Sequence, residues 1–223
     1  MHVLLSPHAT AGHGGHSRLA SAAHSALTGS VALATMLHLG WSEQVDPVGQ
    51  TLSDYALHEG AATLFIACVG CAAAGSAALL AALLRSRLPV GAVAPAVLGV
   101  GCAGLSLCAV FRTDEAGSAQ SLSGLVHRHA AGASLAALPA AGLLLARRLR
   151  GHRPTSARAP RIRQLSWASS GAALLFLGTH VSASRSPSNG AARVLGLAER
   201  VTLGLEIALL FAMADALRTG RNR

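Results

Sequence analysis

Six long, mostly apolar stretches alternate with polar connections along this 223-residue chain. A helix that crosses the hydrocarbon core needs about 20 predominantly apolar residues. Irregular backbone is not tolerated where it faces lipid, so such stretches should be helical. The pattern predicts an all-α polytopic membrane protein, a six-transmembrane-helix bundle, with helices at about 19–39, 61–84, 88–111, 129–146, 165–183 and 201–217.

The remaining segments complete the predicted organisation. Residues 1–17 are rich in His, Gly and Ala and are expected to form a disordered cytoplasmic tail. The membrane domain then covers 18–217, with a flexible basic loop at 147–163, and 218–223 form a basic cytoplasmic tail. Small residues repeat at helical spacing, as in Gly70, Ala74 and Ala78 and again in Gly101 and Gly104. Such faces let helices approach closely in a membrane.

The composition argues against an ordinary water-soluble enzyme. Hydrophobic residues make up 52% of the chain and charged residues only 12%, whereas a soluble domain carries about 25% charged residues. The low charge and high hydrophobicity also exclude a disordered chain. The four cysteines fall within the second and third apolar stretches, where small packing residues are expected.

Charge asymmetry predicts the orientation in the membrane. All 18 basic residues other than His are Arg, and 13 of them lie in the two termini and the connections after the second and fourth helices. By the positive-inside rule, both termini are cytoplasmic, and the expected location is the bacterial cell (cytoplasmic) membrane. The arginines flank apolar stretches, so no nucleic acid is expected as a partner. The expected partners are the lipid bilayer and, at the 147–163 loop, anionic lipids; a homo-oligomer is left open.

Ionisable residues gather at the extracytoplasmic ends of the predicted helices. The candidate ligand-binding residues there are Asp54, Tyr55, Arg112, Asp114, His127, Glu199 and Arg200. In a compact bundle they would converge in a pocket between helices, which is a common kind of ligand site. The alternative is that they cap and solvate helix ends. In that case Asp54 would N-cap the second helix, and Asp114 would pair with Arg112 or Arg128.

Glu206 is a further candidate because it lies inside the sixth apolar stretch. It follows Glu199 by seven residues, on the same helical face and about 10 Å deeper. An intramembrane carboxylate is a functional-site hypothesis by default. Its candidate partners are His180, Arg200, His24 and His38, and a satisfied hydrogen bond between helices is the alternative interpretation.

The order of these motifs resembles a known family. Ser53-Asp54-Tyr55 precedes the second helix, Phe111-Arg112-Thr113-Asp114 follows the third, a histidine starts the fourth and Gly196-x-x-Glu199-Arg200 precedes the sixth. This set is similar to the bacterial integral membrane family called domain of unknown function 998, over roughly residues 20–217. Members often have Pro where Arg112 stands. The resemblance implies a six-helix membrane fold and no established activity or cofactor.

Three functions are compatible with the sequence. The first, which is favoured, is binding or transport of a lipid headgroup, small solute or ion. Arg200 and Arg112 would then hold an anion, and Glu206 a proton or cation. The second is a metal-dependent hydrolase with zinc on His127, His129 and His180 together with Asp54 or Asp114. The third is an assembly protein without a small-molecule site. Neither the binding or transport function nor the assembly function requires catalysis, and no cofactor is predicted for either.

Overall fold

The computed structural model describes residues 11–86, 88, 90–151, 155–185 and 190–218. Within these ranges the secondary structure is entirely helical, without strands, which confirms the predicted all-α class. The six α-helices are α1 (Ala11–Gly40), α2 (Ala61–Arg85), α3 (Val93–Val110), α4 (Leu122–Arg150), α5 (Ala159–Arg185) and α6 (Leu195–Arg218). Three short 3-10 helices lie at Leu52–Leu57, Ser156–Arg158 and Ala192–Val194.

Three of the helices are long and apolar enough to cross a membrane. In the described chain these are α2, α3 and α4, with mean hydropathies of 2.2, 2.0 and 1.5 over their best windows. Leu and Ala, which favour the helical conformation, supply most of their residues. A helix also satisfies its own backbone hydrogen bonds, as lipid requires. The chain is therefore a membrane protein by the length and composition of these helices.

Consecutive helices pack side by side, and α6 returns against α1, which closes the bundle. Helix α6 also contacts α2 and α4, so it touches four of the other five helices. The larger apolar core includes Leu27, Leu83, Leu145 and Leu209. A second core at the other end packs the segment between α1 and α2 against both helices, and Tyr55 is one of its members. This second core positions the polar residues described below.

Close helix contacts depend on specific glycines. A Cβ on Gly104 of α3 would lie 2.6 Å from the Ala130 carbonyl oxygen of α4, and one on Gly101 would lie 2.6 Å from the Leu138 side chain. Gly101 and Gly104 therefore form the predicted face of small residues, at which α3 and α4 approach closely. The prediction for Gly70 is wrong, because a Cβ there would meet nothing within 4 Å. In α2 it is Gly75 that packs closely, against α1.

Several helix boundaries differ from the predicted ones. Helix α1 begins at Ala11, so the part of the predicted disordered tail at 11–17 is helical; residues 1–10 lie outside the described residues. Helix α4 begins at Leu122 because the Ser121 hydroxyl accepts a hydrogen bond from the Gly124 N–H at 3.0 Å, a typical N-cap. The predicted loop 147–163 is mostly helical, since α4 ends at Arg150 and α5 starts at Ala159. Arg218, the first residue of the predicted tail 218–223, is the last residue of α6, and residues 219–223 lie outside the described residues.

Candidate functional site

Polar side chains meet where α1 ends and where α2 and α6 begin. We call His38, Gln50, Asp54, Tyr55, Glu199 and Arg200 the Arg200 cluster. Four of these residues were predicted as candidates, namely Asp54, Tyr55, Glu199 and Arg200. The structure brings these four together and adds His38 and Gln50, which the sequence did not place at a ligand site.

Arg200 connects three parts of the chain. Its Nε donates to Nε2 of His38 at 2.6 Å, which ties α6 to α1. Its Nη1 donates to the carbonyl oxygens of Gln50 at 2.6 Å and Gly196 at 3.1 Å. The remaining nitrogen, Nη2, is buried and has no hydrogen-bond partner. An arginine fork can bind planar acceptors through several N–H groups at once, so Nη2 is a donor available for a further acceptor.

His38 is held in one tautomer by its two neighbours. Its Nδ1 lies 2.6 Å from the Ala34 carbonyl oxygen, which only accepts, so Nδ1 carries the proton. Its Nε2 faces the Arg200 guanidinium, which only donates, so Nε2 is the acceptor. This arrangement corresponds to the tautomer with the proton on Nδ1.

The loop before α2 is ordered by its own polar groups. The Asp46 carboxylate accepts from the N–H groups of Val48 and Gly49, each at 3.0 Å. The Val48 carbonyl oxygen then accepts from the Leu197 N–H at 2.9 Å. A Cβ at Gly196 would overlap the Gln50 carbonyl group. A glycine is therefore required where the loop crosses the first turn of α6.

Two carboxylates hold the start of the 3-10 helix that carries Tyr55. Asp54 accepts from the backbone N–H of Thr51 at 2.7 Å and from its hydroxyl at 2.9 Å. Glu199 accepts from the Leu52 N–H across the gap to α6. Negative charge is favourable at these unpaired N–H groups. Asp54 therefore caps this short helix and not α2, whose N-cap is Gly60.

Tyr55 lies fully buried beside His38. The two rings are 5.6 Å apart between centroids and meet edge to face. The phenol oxygen has no hydrogen-bond partner. Buried hydroxyl groups are nearly always paired, so an unpaired one requires an explanation. Tyr55 Oη and Arg200 Nη2 are thus two unpaired polar atoms whose side chains contact the same histidine.

Three other predicted ligand-binding residues form a separate group at the α3–α4 turn. Arg112 donates to the Ala56 carbonyl oxygen at 2.7 Å, and Nδ1 of the buried His127 lies 2.8 Å from the Phe111 carbonyl oxygen. Asp114 accepts from the Ser121 N–H at 3.0 Å and from its hydroxyl at 2.5 Å. Arg112 therefore joins this turn to the segment preceding α2. Arg112 was one of the two predicted partners of Asp114, and it binds the Ala56 carbonyl oxygen instead.

The electrostatics of Asp114 follow from these contacts. The hydroxyl and N–H of Ser121 stabilise the charged carboxylate and hold the pKa of Asp114 below its usual value. The positive charge of Arg128 acts in the same direction. Both effects favour the ionised form. Asp114 is accordingly an anionic anchor for the start of α4.

Glu206 lies deeper in α6 and is 3% exposed. Its Oε1 has no hydrogen-bond partner. Two of its expected partners bind elsewhere, since His38 accepts from Arg200 and His24 lies 3.0 Å from the Asp215 carboxylate. The carboxyl group is thus a further buried polar group without a hydrogen-bond partner, besides Tyr55 Oη and Arg200 Nη2.

The histidines proposed as zinc ligands are differently placed. His127 is buried, His129 is exposed and His180 is intermediate between them. In the described ranges, no three His, Cys, Asp or Glu side chains are grouped so that they could hold a metal ion. The zinc hydrolase stays a prediction from the sequence.

Two surface pockets lie at the opposite end of the bundle from the Arg200 cluster. One, of about 330 Å³, is lined by Arg158, Arg161, Ala212 and Asp215. The other, of about 640 Å³, is an open apolar groove between α2 and α3. The Arg200 cluster itself is closed by its own hydrogen bonds. Any ligand there must occupy a small space next to the unpaired atoms or displace part of the loop.

Sequence reasoning named His38 only as a partner of Glu206 and did not single out Gln50, so it missed the contacts of both with Arg200. His38 lies 162 residues from Arg200, and Gln50 participates through its backbone, so neither contact has a sequence motif. The available signal was a histidine in the last turn of α1 on the side of the membrane where Arg200 begins α6.

Comparison with known proteins gives one match. Neither curated proteins nor solved structures match the chain significantly. A family model described as "Protein of unknown function (DUF998)" matches residues 26–215, which overlap all six helices, cover α2 to α5 completely and include the whole Arg200 cluster. The chain therefore belongs to the DUF998 family.

Proposed function

We propose that this protein spans the cytoplasmic membrane of a bacterium six times and binds a small anionic group at the Arg200 cluster, on the extracytoplasmic side. The anionic group belongs to a lipid headgroup or to a small solute. A phosphate or carboxylate is the acceptor that a guanidinium binds best. The unpaired Arg200 Nη2 is the observation on which the proposal depends.

Six spans are supported by helix length and by the outward faces. Helices α1, α5 and α6 have 30, 27 and 24 residues, which is enough to cross a bilayer. They also present large apolar side chains outward, for example Met36 on α1, Leu174 on α5 and Val201 on α6, each at least half exposed. Side chains of this kind suit contact with lipid.

The orientation is supported by charge. The described arginines of the α2–α3 and α4–α5 connections lie at one end of the bundle, together with Arg218. The Arg200 cluster lies at the other end, which has most of the acidic residues. The positive-inside rule then makes the Arg200 cluster extracytoplasmic.

Binding is supported by the cost of the unpaired atoms. An unsatisfied buried polar group costs about 1–3 kcal/mol, and more when it is charged. The side chains of Arg200 and Tyr55 both contact His38, and their unpaired atoms, Arg200 Nη2 and Tyr55 Oη, can both donate to an incoming oxygen. An anion placed between them would relieve both costs. Glu206, deeper in the same helix, would accept a proton or cation coupled to that binding.

The experiment is thermal unfolding of the purified full-length protein with two probes, inorganic phosphate and dihexanoyl phosphatidylglycerol. Saturating ligand at about 100 times its Kd stabilises a protein by about 2.7 kcal/mol. We expect a saturable rise in the melting temperature. A rise with phosphate indicates a free solute, and a rise with the lipid alone indicates a headgroup.

Tyr55→Phe is the decisive variant because it removes only the unpaired oxygen. Its melting temperature without ligand should not fall, while most of the ligand-induced rise should disappear. Arg193→Gln, an exposed arginine near the start of α6, is the matched control and should behave like the wild type. The proposal is wrong if neither probe gives a saturable rise, or if the rise survives in Tyr55→Phe. A purely structural role for Arg200 would produce either result.

A further inference from the structure

A pocket at the opposite end of the bundle joins two guanidinium groups and a carboxylate. Arg158 and Arg161, at the start of α5, and Asp215, near the end of α6, line a cavity of about 330 Å³. This volume falls at the lower end of the range for ligand sites, about 300–1,000 Å³. The site is far from the Arg200 cluster, and the function proposed above does not use it.

Asp215 is held through its side chain by His24 and through its backbone by Arg158. His24 of α1 places Nε2 3.0 Å from Asp215 Oδ1, and the His24 ring in turn contacts Phe211 edge to face at 5.2 Å. Arg158 donates to the backbone carbonyl oxygen of Asp215, which joins the start of α5 to the end of α6. The Asp215 side chain is still 46% exposed, so it also faces the cavity.

The two arginines that line the cavity differ in the exposure of their side chains to a ligand. Arg158 is half-buried and anchored through Nη1, whereas Arg161, one helical turn later, is exposed. Two guanidinium groups next to each other are suited to the oxygens of a phosphate ester. A simple anion would, however, bring its negative charge close to Asp215, which is unfavourable.

We propose that this pocket binds a phosphate ester that carries an amine, such as the phosphoethanolamine headgroup of an aminophospholipid. The phosphate lies against Arg158 and Arg161, and the ammonium group lies against Asp215. Each charge of the ligand then meets the opposite charge. A headgroup without an amine leaves the carboxylate facing a neutral or negative group, so the pocket discriminates by charge. The sequence alone predicts anionic lipids in this region, and Asp215 is the reason to choose a zwitterion.

The test compares short-chain lipids on the purified full-length protein. Binding of dihexanoyl phosphatidylethanolamine and dihexanoyl phosphatidylglycerol is measured by their effect on thermal unfolding, at matched concentrations below micelle formation. We expect the ethanolamine lipid to bind at least fivefold more tightly. Soluble phosphoethanolamine serves as a third probe. If it binds as tightly as the lipid, the natural ligand is a soluble ester; if it binds much more weakly, the ligand is a membrane lipid.

Three variants identify the site. Asp215→Asn should remove the preference for the ethanolamine lipid, and Arg161→Gln should weaken both lipids severalfold. Arg163→Gln is the matched control, because this arginine is exposed on the same helix and does not line the cavity. Arg161 is exposed, so its variant should fold even if Asp215→Asn does not. All of these measurements are made in the Tyr55→Phe background, where binding at the Arg200 cluster is removed. In that background, equal or tighter binding of phosphatidylglycerol overturns the proposal, and so does unchanged binding in Arg161→Gln. The test of this pocket therefore does not depend on the outcome at the Arg200 cluster.

Discussion

The variant Arg200→Ala removes three hydrogen bonds from the end of the bundle that carries the Arg200 cluster. Two of the acceptors, His38 Nε2 and the Gln50 carbonyl oxygen, then lose the donor that the structure gives them. The third, the Gly196 carbonyl oxygen, lies within the first turn of α6. The loss therefore affects the contact of α6 with α1 and with the loop before α2.

The size of the loss follows mainly from His38 Nε2, which is part-buried, because the Gln50 carbonyl oxygen is exposed and can be hydrated. An unsatisfied buried group costs about 1–3 kcal/mol, so we expect destabilisation of about that size. For a chain of this length, about 1 kcal/mol corresponds to about 2–4 °C in melting temperature. Thermal unfolding followed by circular dichroism in one detergent should therefore show a fall of more than about 2 °C.

A control variant and a double-mutant cycle test whether Arg200 connects α6 to α1. Arg193→Ala changes an exposed arginine on the same side and should stay within about 0.5 kcal/mol of the wild type. A double-mutant cycle with His38→Ala should give a coupling of about 0.5–3 kcal/mol, because the two side chains contact each other. If Arg200→Ala melts within about 2 °C of the wild type, or if the two changes are additive, Arg200 does not connect these elements.

Two further predictions concern the loops. Gly196→Ala should destabilise the protein by about 1–3 kcal/mol, because its Cβ would overlap the Gln50 carbonyl group; Gly204→Ala, on the same helix with nothing within 4 Å, should be neutral or stabilising. Equal melting temperatures of these two variants would contradict the loop contact. The pKa of Asp114 is lowered in the folded state, so its contribution to stability is present above the ordinary carboxyl pKa of about 4 and is lost as pH falls below that value. The melting temperature of the wild type should therefore fall faster on acidification than that of Asp114→Asn, and parallel curves would refute this.

The sequence predicted the parts of the fold that depend on hydropathy. Long apolar stretches identified six helices, and each overlaps a helix of the structure. Helix ends were less predictable because local hydrogen bonds decide them. Ser121 starts α4 seven residues before the predicted boundary, since its hydroxyl caps the Gly124 N–H and its own position is fixed by Asp114.

The candidate site was predicted only in part, for a related reason. Asp54, Tyr55, Glu199 and Arg200 were found because ionisable and aromatic residues at helix ends are visible in a sequence. Their partners are backbone groups, such as the Leu52 N–H and the Gln50 carbonyl oxygen, which every residue possesses. Which backbone group faces which side chain depends on how the loop crosses α6, and that path is set by tertiary packing.

Tryptophan fluorescence offers the most direct measurement of ligand binding at the Arg200 cluster. The chain has two tryptophans, and Trp41 packs against the apolar core that contains Tyr55, while Trp167 is 62% exposed on α5. In Trp167→Phe, Trp41 is the remaining reporter, and the protein can be reconstituted in vesicles with its extracytoplasmic side outward.

Adding dihexanoyl phosphatidylglycerol or inorganic phosphate to the outside of these vesicles should change the Trp41 emission saturably with at least one probe. The same titration of the Trp167→Phe, Tyr55→Phe double variant should give a much smaller change. No saturable change with either probe, or an equal change in the double variant, would contradict the account.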